Sequence, residues 1–193
     1  MPNQEFNFNP VDNVTVDALG PAGQRVFYIQ AQKGDQTLTL IAEKFQIQSL
    51  SLGIERFISE IAEKFPDLPA PKQVYNKKKM RIQPPVDPLF RVANIGLGFD
   101  IESDLVVMVI HELLPEGDIL EEIEDVLEAE DQTTEGDNPS VVRFWCTRGQ
   151  LWVLSRWGIE LASLGRPICP QCNKPMEPEG HFCVKKNGGH KRN

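Results

Sequence analysis

Two long stretches of the chain carry apolar residues at helical spacing. Residues 46–65 place an apolar face on a 3.6-residue repeat, and Pro66 ends the repeat because a residue before proline leaves the helical region. Residues 150–164 show the same repeat and stop at Gly165, with Pro167 just beyond, which is typical of a helix exit. We therefore predict two amphipathic helices. Their apolar faces comprise Ile47, Leu50, Ile54, Phe57, Ile58, Ile61 and Phe65 in the first, and Leu151, Leu154, Trp157, Leu161 and Ala162 in the second.

Three short stretches of strand-like composition precede each helix: residues 14–19, 25–32 and 37–42, then residues 90–97, 105–111 and 141–146. A shift of 104 residues carries Gln46 onto Gln150 and Leu50 onto Leu154, as an internal duplication would, although two unrelated amphipathic helices would give similar spacing. The pattern predicts an α+β fold with an antiparallel sheet. Two βββα halves, about 1–65 and 89–165, would build this sheet, with both helices on one face.

Two segments interrupt this pattern. Residues 66–88 contain six prolines and the basic run Lys77-Lys78-Lys79, which favours an extended connector between the halves. Residues 116–137 hold eleven acidic residues and no basic one. The net charge of −8 therefore comes from an acidic insertion on a near-neutral body. Apolar spacing within the insertion predicts a short amphipathic helix at residues 119–127.

Three of the four cysteines crowd near the C-terminus. Cys169 and Cys172 belong to a Cys-Pro-Gln-Cys turn, and His181 and Cys183 belong to a His-x-Cys turn. Zinc prefers four tetrahedral nitrogen or sulfur ligands, and Cys-x-x-Cys brings two thiolates together from one turn. We predict one structural zinc held by these three cysteines and a histidine. The histidine is His181 or His190, and His181 is favoured because it lies in the turn itself.

The segment that carries this motif, residues 166–193, is predicted to be a small zinc-ribbon-like module, and it has two alternative interpretations. Cys-Pro-x-Cys is also a redox motif, but a redox pair needs its first cysteine at a helix N-terminus. Pro175 and Pro178 follow too closely for a helix to begin. The segment is also basic, which makes nucleic acid a second candidate partner, less favoured than a protein because the whole chain is acidic.

Composition narrows the compartment and the chemistry. No apolar run approaches the ~20 residues of a membrane-spanning helix, and residues 1–10 lack the basic and apolar regions of a secretory signal. We therefore expect a cytoplasmic protein without a membrane partner. Cys146 lies within a strand pattern and is expected to be buried. His111 and Glu112 are not expected to cooperate in catalysis, because adjacent strand residues face opposite sides of a sheet.

Several motifs occur near both ends of the chain. They are Gly165-Arg166-Pro167-x-Cys169-Pro170-x-Cys172, the loop 175–183, Asn187-Gly188, and Gly20-x-x-Gly23-Gln24-Arg25 followed by Phe27, Gln30, Glu43 and Lys44. Together they resemble the DUF3090 family of uncharacterised bacterial proteins over nearly the whole chain. The resemblance implies Cys169, Cys172, His181 and Cys183 as the metal set, and it implies no particular activity. The acidic insertion looks like a departure from the family.

The expected function is a non-enzymatic binding or adaptor protein, with another protein as its partner. The alternative is an enzyme, a hydrolase or transferase acting on a phosphorylated small molecule at the sheet face or between the halves. Arg25, Gln30, Glu43 and Lys44 are the polar residues to examine in the family-like N-terminal segments. Their convergence in a pocket with His111 would favour the enzyme, whereas a flat, tryptophan-rich face would favour binding.

Overall fold

A computed structural model describes residues 4–72, 75–114, 139–165, 168–176, 182–183 and 185. The described residues form seven strands and two helices, an α+β arrangement. In chain order these are β1 Glu5–Phe8, β2 Asn13–Leu19, β3 Val26–Lys33, β4 Gln36–Ala42, α1 Lys44–Lys64, β5 Pro88–Asp100, β6 Leu105–Glu112, β7 Val141–Thr147 and α2 Arg148–Ser163.

The two predicted helices and six predicted strands lie where the apolar patterns place them, with shifts of a few residues at their ends. Strand β1 was not predicted, because four residues are too short to show a reliable alternation. Its Phe8 is nevertheless buried, and the Phe8 ring lies 5.8 Å from the ring of Phe144 on β7. The helix predicted at residues 119–127, with the whole of the acidic insertion, lies outside the described residues.

The sheet is mixed, so the predicted antiparallel sheet is wrong. Its strand order is β1-β7-β6-β5-β4-β3-β2, in which β1 runs parallel to β7 and β4 runs parallel to β5. The other neighbouring pairs are antiparallel. The reason lies in the connection between the halves: α1 and the segment after it return the chain to the starting end of β4, and a crossover of that kind makes the next strand parallel.

The two edge strands of the sheet, β1 and β2, are consecutive in the chain. The link between them forms backbone hydrogen bonds with β7 near one edge and with β3 near the other. The backbone N–H of Val11 donates to the carbonyl of Trp145 in β7 at 2.9 Å. The N–H of Asp12 donates to the carbonyl of Gln32 in β3 at 2.8 Å. Residues 9–12 therefore hold the two ends of the sheet together.

The helices pack against each other and against the sheet. They approach closely at Gly158 of α2, where a Cβ atom would lie 2.1 Å from the hydroxyl oxygen of Ser51 on α1. Trp157 is 1% exposed, and its indole N–H donates to the carbonyl of Val16 on β2. One hydrophobic cluster joins the inner faces of the helices and strands, from Phe8 to Leu161.

The segment between α1 and β5 crosses strands β2 to β4 and is fixed there by buried polar side chains. Gln30 acts like a strand backbone: its amide nitrogen donates to the carbonyl of Gln83 at 2.9 Å, and its amide oxygen accepts from the N–H of Gln83 at 2.8 Å. The hydroxyl of Thr15 donates to the carbonyl of Met80 at 2.6 Å, and Asp17 accepts from the N–H of Ile82 at 3.1 Å. Part of the predicted connector is thus hydrogen-bonded to the sheet.

The two helices begin in the same way at positions 104 residues apart. Gln46 accepts the N–H of the residue before α1 at 2.7 Å, and Gln150 accepts the N–H of Thr147 before α2 at 2.8 Å. Each glutamine amide also donates to two backbone carbonyls: Gln46 to Val92 and Ala93, and Gln150 to Val11 and Asp12. The start of α1 is therefore bonded to β5, which runs parallel to β4, the strand before α1. The start of α2 is bonded to the residues just after β1, which runs parallel to β7, the strand before α2.

Candidate metal centre

The Cys-Pro-Gln-Cys segment folds as a tight turn closed by backbone hydrogen bonds. The N–H of Cys169 donates to the carbonyl of Lys174 at 2.9 Å, and the N–H of Asn173 donates to the carbonyl of Cys169 at 2.9 Å. Asn173 has a φ of 57°, a left-handed conformation that asparagine tolerates better than most residues with side chains. An isolated bridge between Ile168 and Pro175 holds the base of the turn.

This turn brings three sulfur atoms together. The Sγ atoms of Cys169, Cys172 and Cys183 lie within 4.8 Å of one another, and those of Cys169 and Cys183 are 3.9 Å apart. Four sulfurs bound tetrahedrally at about 2.3 Å from zinc lie about 3.8 Å from one another, whereas a disulfide requires about 2.05 Å. All four cysteines of the chain are among the described residues, and none forms a disulfide. The spacing fits a shared metal ion.

The turn also directs backbone N–H groups at the sulfurs. The N–H groups of Cys172 and Gln171 donate to the sulfur of Cys169 and lower the pKa of that thiol to about 7. The N–H of Lys174 favours the thiolate of Cys172, but burial and the two neighbouring sulfurs outweigh it and raise the pKa of Cys172. Adjacent thiolates repel one another, and a bound cation would remove this repulsion and keep them deprotonated.

The fourth predicted ligand lies outside the described residues, since neither His181 nor His190 is among them. A histidine ligand therefore remains a prediction. Gln171, which the sequence did not indicate, lies beside the cluster and accepts a hydrogen bond from the thiol of Cys183 at 3.9 Å. Cys169 sits in a turn next to a β-bridge rather than at the first turn of a helix, which is the position a reactive redox cysteine requires.

The other predicted polar residues separate into different places. Arg25 and Lys44 line one cavity together. Gln30 is 1% exposed and holds the connector, while Glu43 accepts a hydrogen bond from Arg91 at 2.6 Å on the surface. His111 lies on β6 opposite Val141 and outside that cavity. The convergence with His111 that would favour an enzyme is not found.

Cys146 and the tryptophans have ordinary packing roles. Cys146 is fully buried on β7, and burial raises the pKa of its thiol far above the usual range. Trp157 is in the core, and Trp152 is half-buried with the guanidinium of Arg156 5.8 Å from its ring. The tryptophans therefore do not form the flat exposed face that would favour binding.

The fold and the site together define an α+β protein with a cysteine cluster near its C-terminus that is able to hold a metal ion. The chain belongs to the family described as "Protein of unknown function (DUF3090)", whose model matches residues 6–183 and includes all three clustered cysteines. No curated protein and no solved structure matches the chain. Among the described residues, neither helix combines the length and apolar character needed to span a membrane.

Proposed function

We propose that this protein is a zinc-binding adaptor, in which Cys169, Cys172, Cys183 and His181 hold one structural zinc ion. The observation that carries the proposal is the cluster of three sulfurs within 4.8 Å, at a spacing that suits tetrahedral coordination. Thiolate ligands favour zinc over magnesium or calcium. Four protein ligands leave no open position for water, so the metal supports structure rather than catalysis.

The described residues of the segment around the cluster lie outside the main hydrophobic core, although Cys169 and Cys183 are themselves 5% and 4% exposed. A metal that ties Cys169 and Cys172 to Cys183 would therefore supply most of the organisation of this segment, as in other small zinc modules. This supports a separate module at residues 166–193.

Two large apolar side chains support a protein partner for this module. Ile168 is 55% exposed and Phe182 is 75% exposed, and each is next in sequence to a clustered cysteine. Apolar side chains presented on a rigid element are typical of protein recognition, whereas a nucleic-acid surface relies mainly on arginine and lysine. The module would thus present an apolar surface whose shape depends on the metal.

An internal duplication is a further part of the proposal. Its support is the pair of equivalent helix starts, in which Gln46 and Gln150 occupy the same place and make the same kinds of hydrogen bond. The alternative, an enzyme acting on a phosphorylated small molecule, has less support. The cavity that contains Arg25 and Lys44 includes no histidine, cysteine or carboxylate among its described lining residues.

The direct test is the metal content of protein purified without added metal, measured by elemental analysis. We expect one zinc ion per chain, a clear loss in Cys172→Ser and His181→Ala, and no loss in His190→Ala. Cys146→Ala is the matched control, because it removes a cysteine remote from the cluster. Absence of metal from the wild-type protein, or full zinc content in Cys172→Ser, would overturn the proposal.

The recognition role needs a separate measurement. Phe182→Ser should keep its zinc, because the Phe182 side chain is exposed to solvent. It should no longer be crosslinked to a protein partner that crosslinking recovers with the wild type. If every recovered partner binds Phe182→Ser and the wild type equally, the exposed apolar surface is not the recognition site.

A further inference from the structure

A second candidate site, separate from the cysteine cluster, lies at the C-terminal end of α2. It is a cavity of about 250 Å³ between the turn that precedes β3, the first residue of α1 and the chain that leaves α2. Its described lining residues carry two positive charges and no negative one, in a chain whose net charge is −8. The lining residues are Gly23, Arg25, Phe27, Lys44, Leu164 and Gly165.

The two cations have unused hydrogen-bonding capacity. The guanidinium of Arg25 donates through Nη1 to the carbonyl of Leu164 and makes no other hydrogen bond or ion pair with a described residue, which leaves its other N–H groups available. The ammonium group of Lys44 forms no hydrogen bond or ion pair with the described residues, and it lies 3.6 Å from the position that a Cβ atom would take on Gly165. Both cations are therefore held beside the chain that leaves α2.

The same chain contains an equivalent position in which the cation has a partner. Arg148 opens α2 as Lys44 opens α1, 104 residues apart. Arg148 donates to both carboxylate oxygens of Asp104, at 2.7 and 2.9 Å, and to the carbonyl of Pro69 at 2.8 Å. Pro69 lies five residues beyond the end of α1 and Leu164 directly follows α2, and each of the two carbonyls accepts a guanidinium hydrogen bond.

Among its described lining residues, the cavity beside Lys44 lacks a carboxylate like the one that Asp104 supplies to Arg148. Asp104 lies in the turn before β6 and neutralises Arg148, whereas the turn before β3 supplies Arg25, a second cation. Two like charges in one concavity repel each other, and an anion between them would replace the missing carboxylate. The guanidinium fork suits two oxygens of a tetrahedral anion, and the lysine supplies a third charged donor.

We propose that this cavity binds a phosphate group through Arg25 and Lys44. A cavity needs only about 10 to 15 Å³ to hold one water molecule, so this one has room for a phosphate with a small organic substituent. Phe27 and Leu164 provide an apolar wall for that substituent. The ligand class is therefore a small phosphate monoester, and the site is independent of the proposed zinc ion.

Titration with phosphate compounds in a calorimeter tests the site, with sodium chloride added to hold ionic strength constant. The probes are inorganic phosphate and glycerol 3-phosphate, which separate a free anion from a monoester. We expect both to bind and the monoester to bind more tightly. Equal affinity for the two probes would limit the ligand to the free anion and overturn the monoester assignment, while no binding of either probe would overturn the site.

The decisive variant is Lys44→Gln, because the Lys44 ammonium is exposed and forms no hydrogen bond or ion pair with the described residues. It should keep wild-type thermal stability and weaken phosphate binding about tenfold or more, a loss expected for one charged hydrogen bond. Lys44→Arg should retain binding. Arg25→Gln should also weaken binding, although it removes the bond to Leu164 as well.

The matched control is Arg56→Gln, which removes an exposed cation from α1 that pairs with Glu60 outside the cavity. It should bind phosphate like the wild type. If Arg56→Gln weakens binding as much as Lys44→Gln does, the attraction is a general effect of surface charge and the assigned cavity is wrong.

Discussion

Replacing Gly149 with alanine tests how the connector is seated on the second helix. Gly149 is the second residue of α2, and a Cβ atom there would lie 2.0 Å from the carbonyl oxygen of Lys72 and 3.0 Å from its carbonyl carbon. A backbone atom cannot rotate away as a side chain can. The connector is also anchored three residues earlier, where Arg148 donates to the carbonyl of Pro69 at 2.8 Å.

The size of the effect follows from this geometry. Non-bonded atoms prefer separations of about 3.5 Å or more, so the connector would have to move by more than about 1 Å. Overpacking of this kind costs about 1 to 3 kcal/mol, and the better helix propensity of alanine offsets at most about 1 kcal/mol. We expect Gly149→Ala to lower the free energy of unfolding by about 1 to 2 kcal/mol.

Gly53 provides a matched control for the same substitution. It lies within α1, and a Cβ atom there would meet no heavy atom within 4 Å. Gly53→Ala should therefore raise the free energy of unfolding by about 0.5 to 1 kcal/mol. The two identical changes, each inside a helix, are predicted to have opposite signs.

Urea unfolding and thermal melting measure both variants. For a chain of this size about 1 kcal/mol corresponds to about 2 to 4 °C, so Gly149→Ala should melt several degrees below the wild type and Gly53→Ala slightly above it. If Gly149→Ala melts at or above the wild-type temperature, the Lys72 backbone does not contact α2 as described and the reasoning fails.

Two further predictions concern the buried residues. Gln30→Leu should lower the free energy of unfolding by about 2 kcal/mol in urea titration, because both backbone groups of Gln83 lose their partner; an unchanged midpoint would show that the connector does not depend on this bond. Cys146 should resist iodoacetamide at pH 8 in the folded protein and react after unfolding. Burial raises the pKa of its thiol, so the thiol stays protonated at pH 8, and only the thiolate reacts. Rapid labelling of Cys146 in the native protein, located by peptide mass, would contradict this.

Local sequence was enough to predict the helices and most of the strands. Each signal is contained within a short window, such as the apolar repeat from Ile47 to Ile61, which is buried on α1 as the spacing requires. Parallel pairing of β4 with β5 could not be predicted in this way. It depends on where the connector returns the chain, and that is decided by distant contacts such as the bond between Gln30 and Gln83.

The two candidate sites also differ in how far local sequence predicted them. Cys169, Cys172 and Cys183 lie within 15 residues of one another, so the spacing of the Cys-x-x-Cys and His-x-Cys turns was enough to predict that these three cysteines cluster. Arg25 and Lys44 were named together with Gln30 and Glu43 as residues that could share a pocket, but nothing in the sequence indicated that only these two would meet, or that they would meet at the end of α2. That juxtaposition depends on Leu164, which is 139 positions from Arg25.

The proposed independence of residues 166–193 from the body is open to a direct test. The hydrophobic cluster of the body ends at Leu161 and contains no described residue beyond it, so loss of the proposed zinc ion should not open that cluster. Cys172→Ser should therefore keep the main thermal transition within about 1 °C of the wild type, while trypsin should cleave faster after Lys185, which lies two residues beyond Cys183. Gly149→Ala is the reciprocal control, since it should lower the main transition without changing the zinc content. A fall of more than about 5 °C in Cys172→Ser would mean that the cysteine cluster stabilises the body itself, and that residues 166–193 are not a separate module.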